Sequence, residues 1–88
     1  MTPEQARAVI ERALGEVAPD ADLVGLDPDA DLRKTLELDS LDFLNFVTGL
    51  GTAIGQRIEE DDYPRLATMA GTIEFVAAAG GQPSARST

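Results

Sequence analysis

The tetrapeptide Asp39-Ser40-Leu41-Asp42 combines a hydroxyl with flanking carboxylates just ahead of an apolar run. A serine at the start of a helix keeps its oxygen at the surface. There the unpaired backbone N–H groups and the helix dipole favour negative charge by roughly 0.3–1 kcal/mol. A phosphodiester on the Ser40 oxygen would sit in that field. The same serine would also serve as a plain helix cap, a common role for the residue. On the tetrapeptide alone the cap is the favoured reading, and only the wider sequence context reverses it.

Other candidate chemistry is thinner. Asp27-Pro28-Asp29-Ala30-Asp31 imitates the opening of a calcium-binding loop, but that loop needs Gly at its sixth place and Glu at its twelfth, where this chain has Leu32 and Leu38. Glu59-Glu60-Asp61-Asp62 reads as a solvated acidic turn that favours the start of a helix. The chain contains no Cys and no His, which removes thiolate nucleophiles, imidazole bases and the usual zinc ligands. With no general acid/base pair to name, the sequence predicts a protein that is not an enzyme.

Three periodic segments must position these residues. Thr2, Pro3 and Gln5 form a capping signature, followed by Ala6, Val9, Ile10, Ala13, Leu14 and Val17 at helical spacing up to Pro19. Residues 18–38 carry Pro19, Gly25, Pro28 and five Asp, with Leu23, Leu26, Leu32, Leu36 and Leu38 at no single period. That pattern predicts a long loop pinned to the core by separate leucines. A second helix is expected from Asp39 or Ser40 to about Gly55. Its core face is Phe43, Phe46, Val47, Leu50 and Ile54, and its other face holds Leu41, Leu44 and Thr48. Gly49, Gly51 and Gly55 are expected to weaken it by about 1 kcal/mol each against Ala. The acidic turn leads into a short helix ahead of Tyr63-Pro64. A last helix from near Thr68 to Gly80-Gly81 places Met69, Ala70, Ile73, Val76 and Ala77 on one face. The expected architecture is all-α: a small four-helix bundle, three longer helices plus one short one, with a long loop between helices 1 and 2. The domain is expected to span residues 1–80, with 81–88 a disordered tail.

Composition narrows the partners. Sixteen Asp and Glu against seven Lys and Arg give a net charge of −9. That disfavours nucleic acid, whose phosphates call for Lys and Arg, and anionic membrane surfaces equally. It favours proteins with basic docking surfaces, because opposite fields speed encounter. Met1-Thr2-Pro3-Glu4 lacks signal-peptide character and no apolar run approaches spanning length, so a cytoplasmic monomer without membrane insertion is expected.

The run from Asp29 through Asp31-Leu32-Arg33 and the leucine-rich approach to Asp39-Ser40-Leu41 resembles the attachment region of the acyl carrier protein family. The resemblance extends from Ala6 to about Ala79. It implies that Ser40 accepts 4'-phosphopantetheine from coenzyme A through a phosphopantetheinyl transferase using magnesium, and that Asp39 helps present it. It also implies that Leu41, Asp42, Leu44 and Thr48 face partner enzymes of fatty-acid, polyketide or related acyl biosynthesis. A chain without Cys takes its thiol from such an arm. Family members commonly have Gly two residues ahead of that Asp, where this chain has Glu37, and acids further along the helix, where it has Asn45, Gly51, Thr52 and Ala53. Those differences predict poor use by general fatty-acid synthase enzymes and a dedicated partner instead. An aminoacyl or peptidyl carrier, an unmodified helical interaction module and a phosphorylation-regulated adaptor remain open at this point.

Overall fold

The computed structural model describes residues 1–80; the expected tail, 81–88, lies outside them. Helix α1 spans Pro3–Val17, α2 Leu32–Thr35, α3 Ser40–Ile54 and α4 Met69–Gly80, with a 3-10 helix at Glu60–Leu66 between the last two. Among the described residues there is no strand, only an isolated antiparallel bridge between Asp31 and Thr68. The all-α bundle of three long helices and a short one is therefore present, with one further turn, α2, inside the loop.

Helix α1 begins as its sequence dictates. The Thr2 hydroxyl accepts from the Gln5 backbone N–H at 3.1 Å, and the Gln5 side chain accepts from the Thr2 N–H at 3.0 Å. Ala6, Ile10 and Leu14 are fully buried, while Val9 and Val17 lie at the edge of the stripe. α1 packs against both α3 and α4. From α3 the core receives Phe43, Phe46, Val47 and Leu50, with Phe46 and Leu50 fully buried. Each large apolar side chain so placed contributes about 1.5–3 kcal/mol, and truncating Phe46 to Ala would cost about 3–5 kcal/mol.

The glycines of α3 behave differently from the uniform weakening expected. Gly55 lies beyond the helix as its C-cap, at φ +73°, a conformation that favours glycine. A Cβ on Gly51 would stand 2.8 Å from the Gln56 carbonyl oxygen, so the chain reversal after α3 needs the missing side chain.

The loop before α3 is held by more than its leucines. Leu26, Leu32 and Leu38 are buried, and Leu23 and Leu36 partly so. In addition, the Leu32 N–H donates to the Ala67 carbonyl at 2.8 Å and the Ala70 N–H to the Pro28 carbonyl at 2.9 Å. These bonds tie the loop to the junction between the 3-10 helix and α4. That 3-10 helix runs through Tyr63-Pro64 rather than stopping ahead of them.

The buried face of α4 is Met69, Thr72, Phe75 and Val76, with Ala70, Ile73 and Ala77 only partly covered. The helix touches both α1 and the 3-10 helix, so its covered surface is wider than one stripe. The Arg65 guanidinium covers the Phe75 ring at 4.9 Å. The Thr72 hydroxyl donates to the Thr68 carbonyl at 2.6 Å and so enters the core satisfied.

Candidate functional site

One turn of helix and its exit set the position of Ser40. The Asp31 carboxylate accepts from the Lys34 N–H at 3.0 Å and caps α2. The turn then ends in a Schellman geometry: the Leu38 N–H donates to the Arg33 carbonyl at 2.8 Å, across Glu37 at φ +56°. Glu37 thus occupies a left-handed position that costs a side-chain-bearing residue roughly 1–2 kcal/mol. This is the place where the family named above commonly has glycine. Leu38, buried next in sequence, anchors the reversal and brings Asp39 to the mouth of α3.

Asp39, and not Ser40, is the N-cap of α3. Its carboxylate accepts from the Asp42 N–H at 2.8 Å, while the Asp42 carboxylate accepts from the Asp39 N–H at 3.4 Å. The reading of Ser40 as a mere cap is thereby corrected. Ser40 is the first helical residue, exposed, and its hydroxyl supports none of the helix's own hydrogen bonds. Its one side-chain partner among the described residues is Arg33, whose Nη2 donates to the Ser40 Oγ at 3.4 Å.

Arg33 also stands over the Phe43 ring at 5.3 Å, and Phe43 meets Tyr63 edge-on at 5.6 Å between centroids. These residues line a groove of about 500 Å³ between α3 and the 3-10 helix, which Ser40 joins at its edge along with Leu44 and Pro64. In the sequence Arg33 stands in the approach to Ser40 and, with Lys34, is basic among the acids from Asp20 to Asp42, but nothing there shows the groove. The available signal was a basic residue embedded among acids, seven places before the serine.

The outer face of α3 is apolar where it leaves the core. Leu41 is 65% exposed and Leu44 47%. Thr48 follows, exposed, with its hydroxyl donating to the Leu44 carbonyl at 2.9 Å, so the strip keeps its apolar character. Asp42 lies at the side of this strip, half-buried.

The other acidic runs are structural. The Asp27 carboxylate accepts from the Asp29 N–H at 2.8 Å, and Asp31 is occupied by its cap. Among the described residues no three His, Cys, Asp or Glu side chains converge as metal ligands, and no helix is long and apolar enough to cross a membrane.

An exposed serine hydroxyl at a helix N-terminus, uncommitted to the fold and facing a guanidinium, suits attachment of a phosphodiester-linked group. Residues 4–76 match the phosphopantetheine attachment site family, and the chain belongs to that family. Its domains are non-catalytic carriers that bind 4'-phosphopantetheine covalently on a serine. No curated protein matches the chain.

Proposed function

We propose that Ser40 carries the 4'-phosphopantetheine arm and that the protein is an acyl carrier. It delivers thioester-bound intermediates to enzymes of fatty-acid, polyketide or related acyl biosynthesis, as a cytoplasmic monomer. The observation that carries this reading is the division of labour at the head of α3: Asp39 caps the helix, which leaves the exposed Ser40 hydroxyl available for modification. The arm supplies the thiol that holds the acyl group, a chemistry for which a chain without Cys has no group of its own. The protein's residues do the rest. The N-terminus of α3 favours the negative charge of the phosphodiester, Asp39 presents Ser40 to the transferase, and Asp42 with the strip of Leu41, Leu44 and Thr48 meets partners. The net charge of −9 and Asp39 favour an acyl over an aminoacyl or peptidyl cargo and suit basic docking surfaces.

Intact mass spectrometry after incubation with coenzyme A, magnesium and a broad-specificity phosphopantetheinyl transferase tests the attachment. The expected result is one arm on the wild type and none on Ser40→Ala. An arm on Ser84 or Ser87, or a wild type that stays unmodified, overturns the assignment; the latter returns the domain to a plain interaction module.

The partner reading has its own test. Asn45→Glu with Thr52→Glu supplies acids along α3 and should speed transfer by general fatty-acid synthase enzymes, most at low salt, because rim charges act on association rate. Leu44→Ala should instead harm a dedicated partner. An unmodified protein that already matches a standard fatty-acid carrier in turnover would falsify the idea of a dedicated partner.

A further inference from the structure

Two hollows flank the head of α3, and their charges differ. One is the groove lined by Arg33, Ser40, Phe43, Leu44 and Tyr63. The other, of about 480 Å³, lies between the end of α1 and the exit of α2 and is lined by Asp20, Asp22, Glu37 and Asp42 with no basic side chain. The second presents four carboxylates and no cation to a phosphodiester leaving the Ser40 oxygen, whereas the first, although Asp31 and Glu60 also line it, offers the Arg33 guanidinium beside that oxygen.

We propose that Arg33 is a positioning residue that seats the arm's phosphodiester and thereby lays the arm along the groove over Phe43 towards Tyr63. This inference rests on Ser40 being the attachment residue. Arg33 Nη2 is already 3.4 Å from the Ser40 Oγ, so the phosphate oxygens, two bonds beyond that atom through the phosphorus, fall within reach of the same guanidinium. Arg33 forms no ion pair among the described residues, as Arg12 and Lys34 form none, whereas Arg7, Arg57 and Arg65 each have a carboxylate partner; of the three without one, Arg33 is the one beside Ser40. Its contact with the Phe43 ring at 5.3 Å holds the guanidinium at the groove's edge without neutralising it. A planar fork of donors is suited to phosphate oxygens in a way a single ammonium is not. Asp31 and Glu60 also line the groove; the Asp31 carboxylate is engaged with the Lys34 N–H, and Glu60 belongs to the opposite wall formed by the 3-10 helix.

The test is NMR on the arm-bearing protein, with loading confirmed by intact mass. In the wild type, nuclear Overhauser effects should connect the arm's geminal methyl protons to the Phe43 and Tyr63 rings. Arg33→Gln should load normally but lose about two- to fivefold of that intensity, the population change an exposed ion pair supports, with a shift of the phosphorus resonance. Lys34→Gln removes the same charge one residue away and should change neither signal. Unchanged ring contacts in Arg33→Gln, equal loss in Lys34→Gln, or no ring contacts in the loaded wild type each overturn the proposal. Failure of the wild type to load removes the Ser40 assignment and this inference with it, while a loaded arm without ring contacts removes this inference alone.

Discussion

Two acidic helix starts lie twenty residues apart in this chain, Asp39-Ser40-Leu41-Asp42 and Glu59-Glu60-Asp61-Asp62. In both, an aspartate carboxylate at the third helical position accepts from the N–H of the residue before the helix, at 3.4 Å in the first and 3.3 Å in the second. They then diverge. At the first, the Asp39 side chain takes the Asp42 N–H, the helix runs for 15 residues, and the first helical residue offers a hydroxyl to Arg33. At the second, the Asp62 N–H turns to the Glu59 carbonyl at 2.9 Å, the element is a 7-residue 3-10 helix, and its first position is Glu60. Acidity at the helix start is therefore common to both. What distinguishes the first is a hydroxyl that the neighbouring cap leaves unused and a cation facing it.

Moving the serine is the most severe way to break this comparison. In the double variant Ser40→Ala Glu60→Ser, the hydroxyl stands at the corresponding position of the second start. Intact mass after transferase treatment should show no arm; a full arm there would mean that acids and a serine suffice. Capping gives the next largest effect. Asp39→Ala should lower stability by about 0.5–2 kcal/mol in urea unfolding, whereas Glu59→Ala, at a start where the Asp62 N–H already has the Glu59 carbonyl at 2.9 Å, should stay within about 0.5 kcal/mol.

Glu37→Gly addresses how the first start is delivered. Relief at φ +56°, less the entropy glycine adds to the unfolded chain, should raise stability by about 0.5–1 kcal/mol, or roughly 2–8 °C in melting temperature. A loss of stability would show that the left-handed turn before Asp39 is not strained. Smallest of all is the stability effect of Ser40→Ala, expected within about 0.5 kcal/mol because Asp39 holds the cap. A cost of about 1 kcal/mol or more in the same unfolding experiment would restore Ser40 to a capping role.

The sequence by itself determined the local elements and where the candidate site lies along the chain. The Thr2-Gln5 box, the stripe of Ala6, Ile10 and Leu14, and the two faces of α3 are written in residue types and helical period, because capping and amphipathicity act over four or so residues. The serine and its neighbouring acids were legible for the same reason. Tertiary structure decided what depends on distant partners. Whether Asp39 or Ser40 caps α3 turns on the path of the chain out of α2, set by the buried Leu38 and the left-handed Glu37. The burial of Thr72 and Phe75 follows from α4 lying against both α1 and the 3-10 helix. The groove beside Ser40 exists only because the backbone bonds from Leu32 to Ala67 and from Ala70 to Pro28 bring the loop that carries Arg33 to the segment that carries Tyr63. No local period encodes such a pairing, since its members lie some thirty residues apart and meet through the core between them.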